Sequence, residues 1–243
     1  MLRLDLASAD PPVFFEVSFP GQGGTVRILT GLPGKAVLAA SDPAQVSAYG
    51  GPENLFVLGT DAAVRDAGSS GSDSPVPLAA ASTHSSYPGA DVALIGGVHG
   101  GACETAQSVM LMDSRTGKTV TTDLSAAQAP GGEPGSTGGL GVHDLWWDRK
   151  GRLFAAVEAW TCDHSRQNPR VVAAPPGLWR LEGRRWTKAE DNTMAKVREL
   201  RDGTRLVLTS GALGASGTLH EQQPKEEPRV VSSDVLDILA PPL

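Results

Sequence analysis

Two cysteines and five histidines hold most of the metal-binding and nucleophilic potential of this 243-residue chain. Cys103 follows His99 by four residues, and His164 follows Cys162 by two. Two thiolates and two imidazoles form a set that zinc accepts tetrahedrally, although these spacings match no standard zinc motif. A disulfide between Cys103 and Cys162 is the favoured reading and would imply an oxidising compartment. Free thiols are the third, and the sequence leaves all three open. Carboxylates stand close by: Glu104, Glu158, Asp163 and the pair His143-Asp144. Histidine beside carboxylate suits acid–base work or the binding of a polar ligand. Each of these residues also has a plain structural use. Asp144 would tie a strand end to a neighbouring turn, His143 would be a satisfied structural histidine, and Glu158 would lie on the exposed face of a strand. Of the five tryptophans, Trp160 beside Cys162 is the one placed to meet a ligand or partner. Trp147, Trp179 and Trp186 read as packing residues, and His84 and His220 stand alone.

No enzyme signature accompanies these groups. Ser210-Gly211 lies outside any nucleophile elbow, and neither a Walker loop nor a paired-histidine zinc motif is present. The stretch Gly96-Gly97-Val98-His99-Gly100-Gly101 follows a strand but precedes no helix, which argues against a dinucleotide site. No cofactor and no metal are therefore expected.

The elements that must position these residues are short strands. Strand-like segments include Val26–Thr30, Val92–Val98, Val109–Asp113, Leu153–Trp160 and Arg205–Thr209, and several along the chain alternate apolar with polar residues. With 29 Gly and 18 Pro, turns punctuate the chain often. Only Asp191–Leu200 has a helical look, and Asp202-Gly203 after it reads as a hairpin turn. Long amphipathic helices between strands are missing, so the expectation is an all-β fold in a single domain over residues 1–243.

Two internal recurrences sharpen this. Residues 26–37 align without gaps to residues 109–120, an offset of 83, with Gly34-Lys35 and Gly117-Lys118 closing matched turns. Half that offset is close to the roughly 40–45 residues of a four-stranded propeller blade, which places the copies two blades apart. Residues 147–154 resemble residues 200–207 in the same way, with Leu153 and Leu206 lying 53 apart.

The hairpin Asp113-Ser114-Arg115-Thr116-Gly117-Lys118 resembles that of quinoprotein-like and surface-layer-like β-propellers. The stretch from His143 to Leu181, with Gly177-Leu178-Trp179-Arg180-Leu181, is similar to blades of sensor-type propellers. The likeness covers about half the chain. It implies a propeller of four-stranded blades but brings no cofactor, because the tryptophan-docking and aspartate-box patterns of related families are absent. Five units follow, at residues 1–41, 42–83, 84–126, 127–192 and 193–243. Six or seven blades, or a piece of a longer propeller, are the alternatives.

With strands A to D in each blade, the B–C and D–A loops emerge on one face around a central channel. His99, Cys103 and Glu104 fall in one B–C loop, and Glu158, Trp160, Cys162, Asp163 and His164 in another. His143 and Asp144 enter from a D–A loop. The functional expectation is a non-catalytic recognition domain that binds a protein or a small polar ligand on this face. The alternative is a lyase or hydrolase using His143 with Glu104 or Glu158. A net charge of −6 argues against a nucleic-acid partner, and no apolar run is long enough to span a bilayer. The excess of Arg over Lys, with abundant Ala, Gly and Pro, points to a high-GC bacterial genome. The N-terminus lacks the pattern of a leader peptide, which leaves the cytoplasm or, with a leader removed, the cell envelope.

Overall fold

Pro33-Gly34 shows how the chain is folded locally. It connects strands β3 (Val26–Leu32) and β4 (Lys35–Ser41), and Gly34 takes φ +74°. Proline presets the first corner of such a turn, and glycine accepts the positive φ of the second. Comparable turns join most of the other strands. The computed structural model describes residues 2–3, 13–14, 26–41, 53–69, 79–82, 84–99, 105–127, 138–163, 165, 170–200, 202–210 and 216–238.

Within these residues the structure is all-β. A small pair is formed by β1 (Leu2–Arg3) and β2 (Val13–Phe14). Four antiparallel four-stranded meanders then follow in chain order. The first contains β3, β4, β5 (Glu53–Gly59) and β6 (Val64–Ser69). The second contains β7 (Ala79–Ala81), β8 (Val92–His99), β9 (Thr105–Met112) and β10 (Thr119–Thr121). The third contains β11 (Gly138–Trp147), β12 (Leu153–Cys162), β13 (Arg170–Glu182) and β14 (Arg185–Thr193). The fourth contains β15 (Lys196–Glu199), β16 (Arg205–Thr209), β17 (Gly217–Gln222) and β18 (Arg229–Val235). A short parallel contact, Gly139 to Thr105 and Leu140 to Ala106, links the second meander to the third. The first strands adjoin in series: β3 lies against β7, β7 against β11, and β11 against β15.

Alternation explains how the meanders stack. In the second sheet, Val92, Leu94, Met110 and Met112 pack with Val37, Ala39, Leu55 and Val57 of the first. The residues between them, Ala93, Ile95, Val109 and Leu111, pack with Leu145, Trp147, Leu153, Ala155 and Val157 of the third. Side chains at period 2 thus bury both faces of one sheet. The third sheet repeats the device, presenting Trp146, Ala156 and Leu178 to Val197 and Val207 of the fourth. Trp186 is 1% exposed, and its indole N–H donates to the Thr122 hydroxyl at 2.8 Å. Trp186→Ala should lower stability by about 3–5 kcal/mol, read as a drop in the urea midpoint at unchanged slope.

Three details differ from the sequence expectation. Asp191–Leu200 is not helical: β14 ends at Thr193, Met194-Ala195 makes the connection, and β15 begins at Lys196. The helix-like spacing of Met194 and Val197 arises because a two-residue link delivers both to one core. The expected unit boundaries at residues 41/42 and 83/84 fall inside the first and second sheets, between β4 and β5 and between β7 and β8, and Val64–Ser69 closes the first sheet. Finally, Gly34 turns the first strand of a sheet into the second, whereas Gly117 lies in the turn from the third to the fourth. The 83-residue alignment therefore matches hairpins of similar chemistry in different places. The 53-residue recurrence does match equivalent hairpins, with Gly151 (φ +71°) and Gly203 (φ +91°) each between first and second strands.

Candidate functional site

A one-residue irregularity in β11 decides where the polar residues point. The β11–β12 register slips between Val142 and Asp144, leaving His143 as the extra residue of a bulge. Val142 and Leu145, three apart, consequently pack in the same core with the second sheet. His143 and Asp144 are both turned to the other face, the one that Trp146 presents to the fourth sheet. On β12, Val157 and Ala159 face the first of these cores, so Glu158 and Trp160 share the polar face.

There, His143 Nε2 lies 3.0 Å from Glu158 Oε2, and the two side chains are 3% and 1% exposed. Asp144 accepts the Val197 backbone N–H at 3.1 Å and pairs with the Arg198 guanidinium. Burial pushes the Asp144 carboxyl above its ordinary value, with Arg198, the Val197 N–H and Lys196 pulling the other way. Asp144 thus fastens the first strand of the third sheet to the first strand of the fourth. Trp160 is buried, and a Cβ on Gly141 would stand 3.1 Å from its ring, so the glycine lets the indole lie on the backbone. Among the described residues, every buried side-chain nitrogen and oxygen has a hydrogen-bond partner.

The expected site residues are thus divided. His143, Asp144, Glu158 and Trp160 come together, but in mid-strand. His143 and Asp144 do not enter from a D–A loop, and Glu158 does not lie in a B–C loop or on an exposed face. Asp163 begins the connection after β12 and accepts the Ser165 N–H at 3.1 Å and the Ser165 hydroxyl at 2.5 Å, a local turn. His99 ends β8, with its backbone paired to Thr105. Cys103, Glu104 and His164 lie outside the described residues. Cys162, the last residue of β12, is disulfide-bonded, and Cys103 is the one other cysteine in the sequence. A bonded sulfur offers no thiolate, so the four-ligand zinc reading through Cys162 is set aside. Among the described residues, no group of three or more His, Cys, Asp and Glu side chains is arranged to hold a metal ion.

No protein-family model matches the chain, and no curated protein matches it either.

Arg198 was not among the candidates from sequence. It lies 54 residues from Asp144 on a four-residue strand, and nothing local marks it. Two outcomes follow from these contacts. Thiol titration of the denatured chain should find no free thiol without reductant and two with it; two thiols before reduction would refute the bond. Because the folded-state pKa of Asp144 is raised, the native state binds the extra proton, and its stabilising effect is complete below the ordinary carboxylate value. That contribution is lost as pH rises through the raised pKa. Asp144→Asn should flatten this decline when urea midpoints are compared across the mildly acidic range.

Proposed function

We propose that this chain is a non-catalytic recognition domain, built as a β-propeller and binding a protein or small polar ligand on the face formed by its B–C and D–A loops. The observation that carries this reading is the series of adjoining first strands, β3 to β7 to β11 to β15. Four-stranded meanders arranged around their first strands are the plan of a propeller, which gathers the loops after the second and fourth strands at one end. The disulfide at Cys162 belongs to that end and favours an oxidising setting such as the cell envelope. The polar residues of β11 and β12 support a scaffold role, because they join strands and are closed off from solvent.

The alternative, a propeller lyase or hydrolase, is favoured by one observation: His143 and Glu158 are within hydrogen-bond reach. Their burial speaks against it, since a substrate must reach an acid–base pair. His143→Gln and Glu158→Gln separate the two. On the recognition reading both variants lose stability and no turnover is lost. A variant that kept the wild-type urea midpoint while abolishing a measured turnover would overturn that reading.

A further inference from the structure

The outer strands of the four sheets are not equally defended. An open strand edge is a template for another chain, and natural sheets blunt it with charge, brevity or proline. β6 carries Arg65 and Asp66, β14 carries Arg185, Lys188, Glu190 and Asp191, and β10 is three residues long. β18 has none of these devices along its middle. It runs Arg-Val-Val-Ser-Ser-Asp-Val, pairs with β17 on one side, and has no strand on the other among the described residues. All of it before Val235 is exposed.

Among the described residues, three of the five exposed large apolar side chains gather here: Val230, Val231 and, just past the strand, Leu236. The other two, Val26 and Ile28, lie on β3, the first strand of its sheet. A bulge at Val231 bends β18 without bringing a charge to it. The charges stand at the two ends. Arg229 is paired with Glu221, yet its side chain is 78% exposed and its fork holds further N–H donors. Asp234, exposed and at φ +58°, closes the regular part of the strand.

We propose that β18 pairs edge to edge with β18 of a second copy of this chain, in antiparallel sense, extending the fourth sheet across a two-fold axis. The order of charges selects this occupant. Antiparallel pairing brings Arg229 of each copy to the Asp234 end of the other, whereas parallel pairing sets like charges side by side. Between those ends, Val230, Val231, Ser232 and Ser233 supply backbone donors and acceptors with no charge to bury. The same contact covers exposed valines that would otherwise stay in water.

Sedimentation equilibrium of the full chain over a concentration series tests this pairing. A monomer–dimer equilibrium is expected with Kd on the order of 100 µM, because a seven-residue edge falls short of a standard interface. Val231→Lys, at an exposed position, should weaken the dimer by about 10-fold or more. Ile28→Lys, on the other exposed apolar strand, should leave Kd unchanged. The double variant Arg229→Gln/Asp234→Asn removes both charges and keeps a residue that tolerates positive φ. It should abolish the weakening that added salt causes in the wild type. Circular dichroism confirms that each variant is folded. A chain that stays monomeric to about 1 mM would overturn the proposal. So would a dimer lost in Ile28→Lys and kept in Val231→Lys, or an unchanged salt dependence in the double variant.

Discussion

Gly151→Ala is expected to destabilise the protein by more than about 4 kcal/mol, whereas Gly183→Ala should cost only about 1–2 kcal/mol. Both glycines sit in hairpin turns of the third sheet at positive φ, +71° and +60°, so the conformational penalty on a side chain is similar. Their surroundings differ. A Cβ on Gly183 meets nothing within 4 Å, while one on Gly151 would stand 1.7 Å from the His84 carbonyl oxygen and 2.8 Å from the Ser86 nitrogen. Those atoms are backbone and cannot rotate away. They are also held in place, because the Ser86 N–H and hydroxyl both donate to the Gly151 carbonyl, at 2.7 and 2.6 Å. This close approach seals the second sheet against the third, and alanine would have to part them. Urea midpoints of the two variants check it: similar losses would mean that only the turn conformation matters.

The second large effect is expected at Asp144. Asp144→Ala should cost about 2–4 kcal/mol, because it leaves the Arg198 guanidinium and the Val197 N–H without their acceptor at a buried seam. Arg198 retains some access to solvent, at 26% exposed, which keeps the figure below that of a fully enclosed charge. Asp144→Asn preserves an acceptor oxygen and should cost less than half as much. Arg198→Ala should also destabilise, because it leaves the buried Asp144 carboxyl without the cation that opposes the upward push of burial on its pKa. A double-mutant cycle then reads the coupling directly, and a value near zero would mean that the two side chains do not share this bond.

His143 and Asp144 show how far the sequence could be followed. Their chemistry was visible in residue types, and so was the structural use of Asp144 as a tie. The tie runs to β15 of the next sheet rather than to a neighbouring turn, because the bulge at His143 moves every later side chain of β11 to the opposite face. Nothing in the composition of Gly138–Trp147 marks that extra residue. Arg198 was missed for a related reason, since its partner is far away in sequence.

The turns tell the same story from the other side. Gly34, Gly117, Gly151 and Gly203 were all legible as tight turns, and each has a positive φ. A turn is decided by four consecutive residues, and so is the period-2 pattern that made the chain readable as all-β. What those residues do not encode is phase: whether a given hairpin joins the first and second strands of a sheet or the third and fourth. Gly34 and Gly117 fall on different sides of that division although their sequences align.

By itself, then, the sequence determined the strands, their turns and the residue types available for chemistry, because these depend on near neighbours along the chain. Tertiary structure decided which strands share a sheet, that Glu158 and His143 meet inside the protein, and that Asp144 pairs with Arg198 of the fourth sheet. Each of those depends on contacts across tens of residues, where one inserted residue reverses a face and no local pattern records it.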